Sequence, residues 1–182
     1  AIFSRLKGRR IQRIVVNGDL KHEFGTISEQ EWRNTLKFID LLAKHFNEVI
    51  LIKGNHDAIL GPIAKKRNAK VLDSVAIGRV LIIHGNKVPA NIKEHDTIII
   101  GHEHPAVSIK EGPRIERFKC FLKGKYKSKN LIVQPSFNTI IEGVDILKDK
   151  ILSPFLKQNL DNFEVYAVED KVYGFGKLGK MR

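Results

Sequence analysis

Histidines, carboxylates and one amide gather in four short segments of the chain: Gly18-Asp19, Gly54-Asn55-His56-Asp57, His84-Gly85 and Gly101-His102-Glu103-His104-Pro105. Imidazole nitrogens suit Zn, Fe, Mn or Ni, while the carboxylate of Asp19 and the amide oxygen of Asn55 are harder donors that favour Mn, Fe or Zn over copper. A carboxylate can bridge two cations. The two histidines of the GHEH string stand two residues apart and point to opposite sides if that segment is extended, so the donor set predicts two metals. Taken singly, a GD or HG dipeptide is an ordinary turn and a lone histidine an ordinary hydrogen-bonded residue. The ordered set of four is what points to a metal site.

Each segment follows a run that reads as a buried strand. Residues 13–16, 48–52, 79–83 and 97–100 are short, continuous and β-branched, the pattern of strands covered on both faces. Between the first two, Trp32, Leu36, Ile39, Ala43 and Phe46 recur at steps of four, three, four and three. That spacing predicts an amphipathic helix over 28–46, with Ser28 and Glu31 forming a capping box at its start. The resulting β-α-β unit requires a parallel strand pair. In open α/β sheets ligands collect at the carboxyl ends of strands, so the four segments are expected to converge on one site, with neighbouring glycines allowing the backbone to turn sharply. A second helix is predicted over 58–68, weakened by Gly61 and Pro62. After Ala106 the pattern becomes mostly β, with strands over 107–110, 115–122 and 130–134, and a hairpin of 163–168 with 172–175 around Glu169-Asp170-Lys171.

Composition narrows the class. A chain of 182 residues, 42% of them hydrophobic, has the size and apolar content of one globular domain, which excludes disordered and collagen-like classes. Cys120 is the single cysteine, so no internal disulfide forms. No stretch approaches the roughly 20 apolar residues of a membrane helix, and a soluble chain of a reducing, cytoplasmic compartment is expected. Lys and Arg number 32 against 20 Asp and Glu, a net charge of +12. The excess gathers in three places, over 5–13, 65–70 and 114–129, and the last holds seven basic residues with only Glu116 among them. Such runs are either solvated faces or a surface that tracks a phosphate backbone.

On the strings GD, GNHD, HG and GHEH, in that order, the chain resembles the calcineurin-like metallophosphoesterase superfamily. The strings GDLKHEFG at 18–25, GHEHP at 101–105 and QPSFNTIIEG at 134–143 are similar to its archaeal branch, related to the nuclease subunits of double-strand-break repair. The resemblance implies an α/β fold, a single-domain αββα sandwich of two mixed sheets flanked by helices. It also implies hydrolysis of phosphate esters, phosphodiesters foremost, by a metal-bound hydroxide without a covalent enzyme intermediate. Two divalent ions are implied as cofactors, Mn²⁺ first, with Fe, Zn or Ni as alternatives. Asp19 would bridge them, Asn55, His84 and His102 would hold the second, and His104 would help hold the first. His56 would be the catalytic histidine near the leaving group, with Asp57 orienting it, and His22 would lie on the substrate side. The implied partner is a phosphate ester, with nucleic acid as one form of it, and no membrane. The superfamily's first motif, D-x-H, is not among these residues. A reading frame that extends upstream into a strand ending in D-x-H is therefore expected, the fold here lacking that strand. The alternative is a non-catalytic binding or scaffold module with an incomplete metal site, contacting nucleic acid or protein.

Overall fold

The computed structural model of the chain describes residues 3, 6, 8–20, 28–57, 60–65, 67 and 69–181. The chain divides into two compact units, Ala1–Asp73 and Ser74–Arg182.

The first unit contains β1 (Arg13–Asn17), α1 (Glu29–Ala43), β2 (Glu48–Ile52), α2 (Leu60–Lys65) and β3 (Lys70–Leu72). Helical crossovers return the chain to the same end of the sheet each time, so β1, β2 and β3 pair in that order and all parallel. At the amino ends of these strands the Glu48 carboxylate takes both the Arg13 guanidinium and the Lys70 ammonium, the latter at 2.6 Å. Those hydrogen bonds, Lys70 first, hold Glu48 below the usual carboxylate range.

Helix α1 starts where its sequence predicts. Ser28 is extended, with φ −67° and ψ 153°, and its Oγ accepts from the Glu31 amide at 3.3 Å. The helix stops at Ala43, three residues before the periodicity does, where the His45 amide tightens onto the Leu42 carbonyl three residues back and the Leu41 carbonyl meets the His45 ring Nδ1 at 2.9 Å instead. Phe46 still reaches the core from this turn, where it packs with Ile39, Leu42, Val49, Leu51, Leu60 and Ala64. Such fully buried side chains contribute roughly 1.5–3 kcal/mol each. The S28A variant is expected to lose about 1 kcal/mol of stability with its N-cap, read from the urea midpoint of the full chain. An unchanged midpoint would mean that the cap contributes nothing here.

The second unit carries a nine-stranded mixed sheet. Its strands are β4 (Ser74–Ile77), β5 (Val80–Ile83), β6 (Thr97–Ile100), β7 (Pro105–Glu111), β8 (Arg114–Tyr126), β9 (Lys129–Val133), β10 (Val144–Asp145), β11 (Glu164–Val168) and β12 (Val172–Lys177). The main path runs β10-β7-β8-β9-β6-β5-β4, with β11 joining β8 to β12. Strand β8 is long enough to serve three neighbours: its first half pairs with β7, its second half with β9, and its centre with β11. Strands β5, β6 and β9 are mutually parallel, so their carboxyl ends share one side. Their apolar residues Leu81, Ile98, Ile100, Leu131 and Val133 meet Phe155, Leu156 and Val165 in one core.

The fold is thus the expected α/β class, with two sheets and few helices. Between them the two sheets hold every strand predicted from the sequence, including the hairpin of β11 and β12. The smaller sheet is parallel throughout its described residues and the larger is mixed. Strands β3, β4 and β10 add to the prediction: they have two to four residues each, too few to show a period. The predicted helix over 58–68 is helical at Leu60–Lys65, and residues 58, 59, 66 and 68 lie outside the described ones. No described helix is long and apolar enough to cross a membrane.

Candidate functional site

In the first unit, the register of β1 on β2 pairs Asn17 with Ile52. Gly18-Asp19 and the Gly54–Asp57 loop therefore leave the sheet side by side. Asp19 sits in the left-handed region at φ 47°, directly after Gly18 at φ 79°. Aspartate is one of the few side chains that tolerate this conformation. Its Oδ1 accepts from the His56 amide at 3.1 Å. Only glycine fits beneath it: a Cβ on Gly54 would lie 2.0 Å from Asp19 Oδ1 and 2.4 Å from the Asp19 amide nitrogen. Asp57 is buried, and its Oδ2 accepts from the amides of Gly54, at 2.9 Å, and Leu20, at 3.4 Å. One carboxylate thereby fastens both loops through their backbones, a role that sequence spacing did not announce. Asn55 is exposed and His56 half-buried beside it. His22 lies outside the described residues.

In the second unit, parallel pairing of β5 and β6 brings the HG and GHEH strings together. The His84 carbonyl accepts from the amides of Gly101 and His102, each at 2.9 Å. His84 is buried, and its Nε2 lies 3.0 Å from Nδ1 of His102, a hydrogen bond whose donor is set by the tautomer. Gly85, at φ 107°, allows the sharp exit from β5, and a Cβ there would come within 2.7 Å of Ile100 Cβ.

The GHEH segment is not extended. Residues 101–104 form a turn closed by the His104 amide on the Gly101 carbonyl at 3.3 Å, with His104 at φ 49°. The chain must pass from β6 into β7 within these four residues, which leaves no room for strand alternation. His102 and His104 are consequently half-buried on a turn, and Glu103 between them is buried. A two-metal argument based on opposite faces of a strand does not apply. The His104 carbonyl in turn accepts from the Val144 amide at 2.9 Å, and a Cβ on Gly143 would lie 2.4 Å from that carbonyl oxygen.

The basic run over 114–129 finds partners both within itself and, for Arg117, Lys119 and Lys123, in distant segments. Arg114 pairs with Glu116 at 2.7 Å, Arg117 with Asp149 at 3.6 Å and Lys123 with Glu164 at 3.2 Å. Lys125 Nζ donates to Asn130 Oδ1 at 2.7 Å, and Lys127 lies over the Tyr126 ring. Lys119 donates to the carbonyls of Ser136, at 3.3 Å, and Asn138, so it fastens the loop of the QPSFN string; burial lowers its pKa. These contacts make the run largely a set of internal ties. Cys120 is buried with its thiol pushed up to about 12, by desolvation first and by Asp145 second. It is an inert core residue.

The donor chemistry fits a metal. Two imidazole nitrogens 3.0 Å apart can both bond one ion at the usual metal–nitrogen length of about 2.0–2.1 Å. Among solved structures, the chain is similar to the nuclease MPE of Pseudomonas putida, with 17% identity and a TM-score of 0.62 over 96% of this chain and 75% of that one. It is also similar, at TM-scores too low to support any argument, to Zn²⁺-complexed wild-type Vps29 of Entamoeba histolytica (16% identity, TM-score 0.39, 95% and 85% covered). The same holds for Vps29 of Cryptosporidium parvum (16% identity, TM-score 0.38, 91% and 97% covered). No curated protein matches the chain. The sequence model of the calcineurin-like phosphoesterases matches residues 1–143, the stretch that carries all four strings at strand ends. With that match over more than half of its length, the chain belongs to the calcineurin-like phosphoesterase family.

Proposed function

We propose that the chain is a metal-dependent hydrolase of phosphate esters, phosphodiesters foremost. The observation that carries this reading is the His84–His102 pair, two ring nitrogens 3.0 Å apart at the ends of adjacent parallel strands, in a chain of the phosphoesterase family. Asp19, Asn55, His84, His102 and His104 are its proposed metal ligands, with Mn²⁺ as the first candidate and Fe, Zn or Ni as alternatives. Bound divalent cations supply Lewis-acid polarisation of a phosphoryl oxygen and a more acidic water.

The remaining work belongs to this chain's own residues. His56 holds a proton on its imidazole and delivers it to the departing oxygen, so that negative charge does not build up there. Asp57 keeps the loop that carries His56 fixed to the Gly54 and Leu20 amides. His22 is proposed to face the substrate. Nucleic acid is the phosphodiester suggested by the nuclease among the similar structures.

The test is hydrolysis of an aryl phosphodiester by the full chain with Mn²⁺. Turnover is expected to require the ion, to vanish with a chelator and to return when Mn²⁺ is restored. Absence of turnover with Mn²⁺, Fe²⁺, Zn²⁺ and Ni²⁺ alike would overturn the reading and favour a binding module on the same fold.

A further inference from the structure

A carboxylate buried between two histidines needs a reason. Glu103 is 1% exposed, and an ionised carboxylate taken out of water is costly unless hydrogen bonds compensate it. The compensation comes from 50 residues away. The Leu152 amide donates to both carboxylate oxygens at 3.1 Å, and the Ser153 amide donates to Oε2 at 2.6 Å. Such charge-assisted bonds are among the stronger ones in proteins.

The same segment makes a second attachment. Ser153 is wholly buried, and its Oγ donates to the Gly85 carbonyl at 2.8 Å, one residue beyond His84. Two consecutive residues, 152 and 153, therefore grip the turn that carries His102 and the loop that carries His84. Both lie outside the stretch matched by the family's sequence model, residues 1–143.

We propose that Glu103 is a positioning residue: by anchoring Leu152 and Ser153 it holds His102 and, through the Ser153 hydroxyl, His84 in their shared orientation. The proposal that this orientation serves metal binding rests on the ligand reading of these histidines given above. Groups that orient metal ligands in this way typically contribute 10- to 100-fold in affinity.

The test uses the full chain and two readouts: nitrogen-15 spectra of the histidine rings without metal, and calorimetric titration with Mn²⁺ alone. E103L removes both acceptors. It is expected to shift the His84 and His102 ring signals and to raise the Mn²⁺ Kd by about 10- to 100-fold. E103Q keeps one acceptor oxygen and should fall closer to wild type in both. S153A removes only the link to Gly85 and decides the matter if E103L does not fold: it should shift the His84 ring signals in a folded chain. Ring signals at wild-type positions in folded E103L, or in S153A where E103L does not fold, would overturn the proposal and leave Glu103 as a stabilising contact alone. A wild-type chain that takes up no Mn²⁺ would instead overturn the ligand reading, while the metal-free ring signals still decide the role of Glu103.

Discussion

Replacing His56 with alanine is expected to lower phosphodiester turnover by roughly 10²- to 10⁴-fold, the range for loss of a general acid. The loss should grow with the basicity of the leaving group, because a poorly stabilised alkoxide needs the proton more than a nitrophenolate does. The fold around the position should survive. The contact from residue 56 to Asp19 is made by its backbone amide at 3.1 Å, which alanine retains. The bonds that hold the loop come from Asp57 to the amides of Gly54 and Leu20, and these also remain. The variant is therefore expected to bind Mn²⁺ with a Kd within about twofold of wild type, since His56 is not among the proposed ligands and the loops keep their anchors. Steady-state kinetics on a series of aryl and alkyl diesters, with calorimetry alongside, checks both halves. A uniform loss across all leaving groups would assign His56 to substrate binding, and no loss would remove it from the reaction.

The second large effect lies at Gly54. A methyl group there would stand 2.0 Å from Asp19 Oδ1, 2.7 Å from its Cγ and 2.4 Å from its amide nitrogen. Part of that obstruction is backbone, which cannot rotate away as a flexible side chain could. G54A is expected to cost at least the 1–3 kcal/mol usual for overpacking and to displace Asp19 from the position set by the His56 amide. Gly174 supplies the control. It is exposed in β12, where an added Cβ meets the Tyr166 ring at 3.8 Å, an ordinary contact distance, and a strand glycine exchanged for alanine gains about 0.5–1 kcal/mol. The two substitutions, identical on paper, should move the urea midpoint in opposite directions. If both raise it, the close packing of Gly54 against Asp19 is not a feature of the chain in solution.

Much of this chain could be read locally. Runs such as VILI at 49–52 and TIII at 97–100 are legible as buried strands because β-branched side chains without alternation suit a sheet covered on both faces. Ser28 with Glu31 is legible as a helix start because the cap is made within one turn. The candidate donors were legible because glycine beside histidine or aspartate after a strand is a short-range signal. What escaped were contacts whose partners are far away in sequence. The spacing of GHEH assigns Glu103 no role, since its donors stand at 152 and 153. The family resemblance assigns Asp57 to its neighbour His56, and what it does not show is that Oδ2 of Asp57 serves Gly54 and, 37 residues away, Leu20.

The charge of the chain separates the two levels most clearly. Composition alone determines the excess of +12 and the concentration of seven basic residues in 114–129. Whether that concentration is a free cationic stripe depends on which acids stand opposite it, and strand register decides that. Pairing of β8 with β11 places Glu164 opposite Lys123, and the fold sets Asp149 beside Arg117. The order of donors, the strands that carry them and the family are thus written in the sequence, because short-range sterics and hydrophobic patterning encode them. The burial of Glu103 and the pairing of Arg117 with Asp149 and of Lys123 with Glu164 were settled by tertiary structure, because each is a Coulomb or hydrogen-bond term between groups that only the completed sheet brings within reach.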